Sequence, residues 1–238
     1  MSSHFDQLKL HLPDLDQRRI LDIGSGQGDF LLLAVSRGAN AVGVEFNPKY
    51  IELSLSRAAA ANLVIKVVSG RAEDLPFADE SFDFLNLSEL IEHVDHPQLV
   101  LREAFRVLTR GGAAYLSAPN RFGLRDPHFH IYLVNWLPRC LANLFLTIFN
   151  KHKIYNRDAG RQKLTEMHYY TYRQIADLLK TVGFEFKDIR LIKLQAIKNT
   201  VQRQIFLALY RLARNIYFDT FHLLLIKPTM SESDSIKI

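Results

Sequence analysis

Residues 20–30 read Ile-Leu-Asp-Ile-Gly-Ser-Gly-Gln-Gly-Asp-Phe, a short apolar run that enters three alternating glycines at positions 24, 26 and 28. That order of residues leaves few ways to fold. The apolar run suits a buried strand. Glycines at every second position then let the backbone leave the strand through angles and close approaches that a Cβ would block. The stretch is therefore expected to be a strand that bends sharply into a helix, the opening unit of a parallel sheet wound with helices.

Two carboxylates frame the bend. Asp22 falls at the end of the first strand, where it can face an ammonium group. Glu45 closes the next apolar run, Ala41-Val42-Gly43-Val44, seventeen positions after Gly28. An acid at the end of a second strand can accept from both hydroxyls of a ribose. A dinucleotide site would space its glycines as G-x-G-x-x-G and need a small residue at position 29, where this chain has Asp29. The pair of acids instead suits S-adenosylmethionine, which carries both a ribose and a methionine ammonium.

Apolar runs and helical periodicity alternate through the first half of the chain, the pattern of a doubly wound α/β fold. Strands are expected near Arg19–Ile23, Ala41–Glu45, Val64–Val68, Phe82–Leu87 and Ala114–Ser117, with further strands at Phe184–Leu191 and Phe221–Ile226. Asn47-Pro48 is a helix start, a capping side chain followed by proline at the first helical position. Pro97 starts another helix, and Thr171 caps a third that stops at Gly183. At 238 residues, with 48% hydrophobic and 23% charged residues, one enlarged domain over 1–238 is the simplest organisation. The segment before Arg19 carries three aspartates and no apolar core segment, so neither a secretory signal nor a presequence is expected. No apolar run reaches the roughly 18 residues of a membrane span. The single cysteine, Cys140, points to a reducing cytoplasm. The tail from Thr229 to Ile238 is expected to be disordered.

Four blocks together resemble the class I S-adenosylmethionine-dependent methyltransferases, type 11 group, which includes ubiquinone-biosynthesis methyltransferases. They are LDIGSGQGDF at 21–30, VGVEFNPKYI at 42–51, AEDLPFADESFDFL at 72–85 and ELIEHVDHPQLVLREAFRVLTRGG at 89–112, joined by APN at 118–120 and the closing LLLIKP. The resemblance implies a Rossmann-like seven-stranded sheet of order 3-2-1-4-5-7-6 with an antiparallel last strand. It also implies that S-adenosylmethionine is bound and S-adenosylhomocysteine released. By the same resemblance Asp22, Gly24, Ser25, Gly26 and Gly28 wrap the methionine end, and Glu45 with Phe46 holds the ribose. Ala72 and Glu73 meet the adenine edge, and Ser88 lines the cofactor. The family often has an aspartate where this chain has Arg71. Asp83 is read as a strand anchor and His93 as a structural histidine beside the cofactor loop.

Two segments exceed the family's plan: 121–170 after the fifth strand and 193–219 between the last two strands. Both leave the sheet at the edge where ligands bind in doubly wound folds, so both are expected to form mostly helical lids over the methyl acceptor. They hold the positive charge of a chain whose net charge is +5: eight Lys/Arg against three Asp/Glu in 121–170, and five against none in 193–217. The second suits a basic amphipathic helix over Val201–Tyr217, with Val201, Ile205, Leu209, Leu212, Ala213 and Ile216 on one face and Arg203, Arg211 and Arg214 on the other. Such stripes pack on each other, on a second subunit, on a greasy or anionic acceptor, or on a membrane surface.

The expected reaction is O-methylation of an amphiphilic or anionic acceptor such as a lipid-linked glycan or sugar, with a quinone-like or secondary-metabolite acceptor as the alternative. The place of action is the cytoplasm or the inner face of its membrane. A histidine near neutral pH suits removal of a hydroxyl proton, and His128 is favoured over His130 and His168. No metal is expected, because His128, His130 and Asp126 lack further ligands at a recognisable spacing. A non-catalytic or RNA-binding role is the alternative of another class, although no RNA-binding module or Lys/Arg cluster is present.

Overall fold

The computed structural model describes residues 4–149, 153–156 and 160–229. In chain order these form α1 (His4–Lys9), β1 (Arg19–Ile23), α2 (Asp29–Ser36), β2 (Asn40–Glu45), α3 (Pro48–Ala60), β3 (Lys66–Ser69), β4 (Phe82–Leu87), α4 (Pro97–Val107) and β5 (Leu108–Pro119). The chain continues with α5 (Arg139–Ile148), a hairpin of β6 (Lys153–Asn156) and β7 (Gly160–Gln162), α6 (Tyr172–Val182), β8 (Glu185–Asp188), α7 (Ile189–Gln195), α8 (Thr200–Ala213) and β9 (Thr220–Ile226).

Seven strands make one sheet in the order β3-β2-β1-β4-β5-β9-β8. Strands β1 to β5 pair in parallel, and β9 runs antiparallel to both β5 and β8. Counted without the hairpin, this is the expected 3-2-1-4-5-7-6. The central strands are apolar on both sides because both sides are covered. On one face Leu21, Ile23, Leu85, Leu87 and Leu116 pack with Val100, Leu101 and Ala104 of α4 and Ile175 and Leu179 of α6. On the other, Ile20, Phe84 and Tyr115 pack with Phe30, Leu31 and Ala34 of α2.

Helix boundaries follow local chemistry. Asn47 accepts from the Lys49 amide at 3.0 Å to cap α3, with Pro48 at the first helical position. Thr171 and Gln174 form a reciprocal capping box at the start of α6, which ends at Gly183 with φ +108°.

The N-terminal segment joins the core, with Phe5, Leu8 and Leu15 buried against α2. The fold departs from the sequence expectations at several element boundaries. Strand β3 starts at Lys66, and Val64 is 91% exposed. The strand expected over 184–191 stops at Asp188, whose Oδ1 accepts from the amides of Arg190 (2.9 Å) and Leu191 (3.4 Å) and so begins a helix in place of further strand. Helix α8 ends at Ala213, short of the expected Tyr217. The expected disordered tail lies outside the described residues beyond Thr229.

Segment 121–170 starts and returns at the end of β5. The Arg121 amide donates to the Tyr170 carbonyl at 2.8 Å, and the Tyr170 amide to the Pro119 carbonyl at 2.9 Å. Between these ends Val134, Ala142, Leu146, Leu164, Met167 and Tyr169 build a small core of their own. Helix α8 packs against α7, and its C-terminal end is held at β5 by the Asn120 side-chain amide, which donates to the carbonyls of Arg214, Asn215 and Phe218.

The orientation of α8 reverses what an amphipathic helix ordinarily does. Its buried residues are Leu207 and Tyr210, flanked on the same side by half-buried Arg203 and Arg214. The apolar stripe of Val201, Ile205, Leu209, Leu212 and Ile216 is turned outward, each residue 48–77% exposed. Helix α5 does the same: Ala142 and Leu146 are buried, and Leu141, Leu144, Ile148 and Phe149 are 51–68% exposed.

Candidate functional site

The bend after β1 is held open by its glycines. Gly24, Gly26 and Gly28 have φ of +71°, +52° and +81°, and a Cβ on Gly24 would stand 2.7 Å from Leu90 Cδ1. The amides of Gly24 and Ser25 both donate to the Val44 carbonyl, at 2.8 and 2.9 Å, which ties the bend to the end of β2. Along the carboxyl edge of the sheet lie two cavities that share Gly24. The larger, about 710 Å³, is lined by Asp22, Gly24, Ser25, Gly26 and Ser88 at one end. The smaller, about 240 Å³, is lined by Gly24, Glu45, Phe46, Ala72, Glu73 and His93. The expected cofactor residues are thus brought together. Gly28 alone lines neither cavity and serves instead as the left-handed residue preceding α2.

Asp22 is 3% exposed, and the Asn86 side-chain amide donates to its Oδ1 at 2.7 Å. Burial pushes its pKa up to about 7, with the nearby charges of Glu45 and Asp29 acting in the same direction and the Asn86 hydrogen bond opposing them. Each oxygen of buried Glu45 accepts one backbone amide, Gly26 at one and Asn47 at the other, both at 2.9 Å. That fixes the carboxylate while leaving lone pairs for vicinal hydroxyls. The Ser25 hydroxyl is buried on the cavity wall and has no hydrogen-bond partner. Arg71, at the position where an aspartate is common, pairs with Glu73 (3.4 Å) and Asp95 (3.2 Å).

A cradle cleared of Cβ atoms, an acid for an ammonium group, a fixed acid for a ribose and an orphaned hydroxyl all fit an adenosyl sulfonium. Asp83 stands apart from it: Arg19 grips both its oxygens, at 2.9 and 2.7 Å, and that pairing holds its pKa at about 2, so it anchors the strand as expected.

The far end of the larger cavity is lined by Glu92, Tyr115, Ser117, Pro119, Pro127, His128, Thr220 and His222. Of the three expected histidines only His128 reaches it. His130 and His168 are exposed and line neither cavity. Asp126 is not beside His130 as a ligand. It is fully buried and accepts from the amides of His128 (2.8 Å) and Phe129 (2.7 Å) and from the Tyr169 hydroxyl (2.9 Å), so it aims the His128 loop.

Three groups at this end were missed from sequence. His222 Nδ1 lies 2.6 Å from the Tyr115 hydroxyl, whose pKa burial raises, so the phenol keeps its proton. A lone polar residue inside the closing apolar strand was the available signal. Glu92 is 1% exposed, and its Oε1 lies 3.4 Å from His128 Nε2 and 3.9 Å from His93 Nε2. His93 lines the smaller cavity, whereas Glu92 and His128 line the larger, so the three meet at the wall between them.

The cationic excess does not point into the site. Among the described residues no Lys or Arg lines the larger cavity. Arg139 stacks over Tyr169 at 4.4 Å, and burial lowers its pKa to about 10. Arg214 stacks over Tyr172 at 3.6 Å, Arg190 over Phe218 at 4.2 Å, and Arg121 donates to the carbonyls of Asn135 and Leu137. These are packing contacts of planar guanidinium groups.

Comparison with known proteins agrees with this geometry. The type 11 family described as a methyltransferase domain matches residues 21–116. The chain is 34% identical over 128 residues to a ubiquinone/menaquinone biosynthesis C-methyltransferase of Geotalea daltonii, covering 50% of this chain and 54% of that protein. It is 35% identical over 140 residues to a ubiquinone biosynthesis O-methyltransferase of Azorhizobium caulinodans, covering 57% and 55%. The chain thus spans about half the length of these curated relatives. An S-adenosylmethionine-dependent methyltransferase structure from Mesorhizobium loti superposes with a TM-score of 0.59 at 16% identity, covering 92% of this chain and 94% of that one, which shows the shared fold. With the matching glycine turn, acids and sheet order in place, residues 21–116 are a methyltransferase domain of the type 11 group, built on the fold of the S-adenosylmethionine-dependent methyltransferases.

Proposed function

We propose that the protein methylates a hydroxyl oxygen of a lipid-tailed acceptor, a quinone-like ring precursor being the best fit, taken from a membrane surface. When bound, S-adenosylmethionine supplies a methyl carbon already activated by its positive sulfur. In this reading Asp22 holds the ammonium group and Ser25 with the glycine amides holds the methionine end. Glu45 takes the ribose hydroxyls, Phe46, Ala72 and Glu73 enclose the adenine, and Ser88 lines the wall between cofactor and acceptor. The chain's task is then mainly alignment of the acceptor oxygen with the methyl carbon. His128 assists loss of the hydroxyl proton, and segments 121–170 and 193–219 form the lid.

The observation that carries the lipid-tailed acceptor is the outward apolar stripe of α8, repeated on α5. A stripe of five large apolar side chains costs solubility unless something covers it. Exposed Arg211 adds positive charge to the outer surface of the helix, which suits an anionic lipid surface. Among the described residues no helix is long and apolar enough to cross a membrane. The absence of cations from the cavity favours a neutral reacting group over an anionic one. Of the relatives named for ubiquinone biosynthesis, the O-methyltransferase of Azorhizobium caulinodans favours an oxygen acceptor and the C-methyltransferase of Geotalea daltonii a carbon one. A lipid-linked sugar has the same amphiphilic shape, but no specific observation favours it.

The test combines flotation with turnover. The protein should float with anionic vesicles, and Leu209→Ser with Leu212→Ser should abolish flotation. Label from S-adenosylmethionine should enter hydroxylated prenyl-quinol acceptors in preference to their tail-less analogues. Equal use of tailed and tail-less acceptors, or no flotation, overturns the reading.

A further inference from the structure

Glu92 presents a problem that the methyl-transfer reading leaves unsolved. It is 1% exposed, and neither of its side-chain oxygens accepts a hydrogen bond. A buried carboxylate without such partners is costly, and such groups are compensated by a paired charge or a metal ion. The groups facing its carboxylate are imidazoles, His128 Nε2 at 3.4 Å and His93 Nε2 at 3.9 Å. Both rings are themselves 5% exposed, and their centroids are 5.3 Å apart. One ligand atom from each of Glu92, His93 and His128 falls within 4.8 Å of the others.

We infer that Glu92, His93 and His128 form a binding site for a divalent transition-metal ion at the acceptor end of the cavity. The inference rests on the methyltransferase reading only for what the ion is used for. Two imidazoles and one carboxylate are the donor set preferred by zinc, iron(II), cobalt(II) or manganese(II), not by calcium or magnesium. Bonds of about 2.0–2.1 Å place neighbouring ligand atoms of a tetrahedral ion roughly 3.4 Å apart. The Glu92–His128 pair already has that separation, and His93, 3.9 Å from Glu92 and within 4.8 Å of the His128 ligand atom, closes on the ion by a side-chain adjustment. Three protein ligands leave a position open, and it faces a cavity that Glu92 and His128 both line.

The ion has two consequences for the site. It lowers the pKa of a hydroxyl that it holds, whose proton leaves to solvent, so His128 promotes proton loss through the ion and not as a free base. It also favours acceptors with two neighbouring oxygens, one on the ion and one presented to the methyl carbon. Because His128 belongs to segment 121–170 and Glu92 and His93 to the loop after β4, the ion also pins the lid to the sheet edge.

The test is direct metal binding to the full-length protein after dialysis against chelator. Titration with cobalt(II) should give visible absorption bands of a low-coordinate site, and with zinc(II) one ion per chain. Glu92→Gln and His128→Asn should each weaken zinc binding by about 100-fold. Isothermal titration with S-adenosylmethionine should be unchanged in both variants, which also shows that they fold. Vicinal dihydroxy acceptors should shift the cobalt(II) spectrum, and monohydroxy analogues should not. Stoichiometry far below one, or equal zinc affinity in wild type and variants, overturns the metal site and leaves the trio as a proton relay. Tight metal binding with no methylation of the lipid-tailed acceptors would instead overturn the proposed function and leave the metal site standing.

Discussion

The side-chain amide of Asn86 donates to Asp22 Oδ1 at 2.7 Å, joining the carboxyl ends of β4 and β1 beneath the cavity. The bond opposes the burial that pushes the Asp22 pKa up to about 7. In the free protein Asp22 binds a proton between about pH 4 and 7 that the unfolded chain does not, so stability falls as pH rises across that window. Binding of a cationic ammonium has the opposite sign because it needs the carboxylate. Affinity for S-adenosylmethionine should therefore rise with pH through about 7 and then level. Asn86→Ala removes a bond to the charged form and should move that midpoint to higher pH, whereas Asp22→Asn should bind at least tenfold more weakly with a flat profile. Calorimetric titration from pH 6 to 8.5 checks all three, and a flat wild-type profile would remove Asp22 from the ammonium site.

Asp83 makes the reverse prediction. Its pKa is held at about 2 by Arg19, below the ordinary carboxylate value, so its contribution is present above about pH 4 and is lost as pH falls toward 2. The pair is partly exposed, with 49% of the Arg19 side chain and 33% of the Asp83 side chain accessible. Solvent screening then limits its contribution to about 1 kcal/mol. Asp83→Asn should lower stability at pH 7 by about that amount, lose the difference near pH 2, and leave S-adenosylmethionine affinity unchanged. Urea unfolding at several pH values reads both effects.

The sheet was legible because its central strands are buried on two faces and so read as uninterrupted apolar runs. The glycines at 24, 26 and 28 and the acids at 22 and 45 were legible because the bend and both strand ends are local. Helix α7 was not. The apolar spacing over 184–191 suits a strand until Asp188 caps a helix, and a cap outranks two more residues of alternation. Periodicity found the apolar stripe of α8 but could not say which way it faced. That is set by Leu207, Tyr210 and the stacking of Arg214 on Tyr172, contacts made across the fold. The meeting of Glu92 and His93 with His128 was hidden for the same reason: the partners lie in separate segments, and only the return of 121–170 over the sheet edge brings them together.

That return depends on Asp126. The carboxylate is fully buried, with the His128 and Phe129 amides on one oxygen and the Tyr169 hydroxyl on the other. Burial, with Asp126 alongside, raises the Tyr169 pKa, so the phenol remains a donor across the working pH range. A hydrogen bond to a buried charge is worth about 1.5–3 kcal/mol. Tyr169→Phe should cost about that much locally, because one carboxylate oxygen is left with no donor while the Phe ring still fills the small core around Met167. The loss should appear as faster hydrogen exchange at the His128 and Phe129 amides, with the amides of β1 and β4 unaffected. Since Asp126 holds the backbone of the His128 loop, the same variant should weaken zinc(II) binding without changing affinity for S-adenosylmethionine. Unchanged exchange at residues 128 and 129 would mean that the loop is held by something other than this carboxylate.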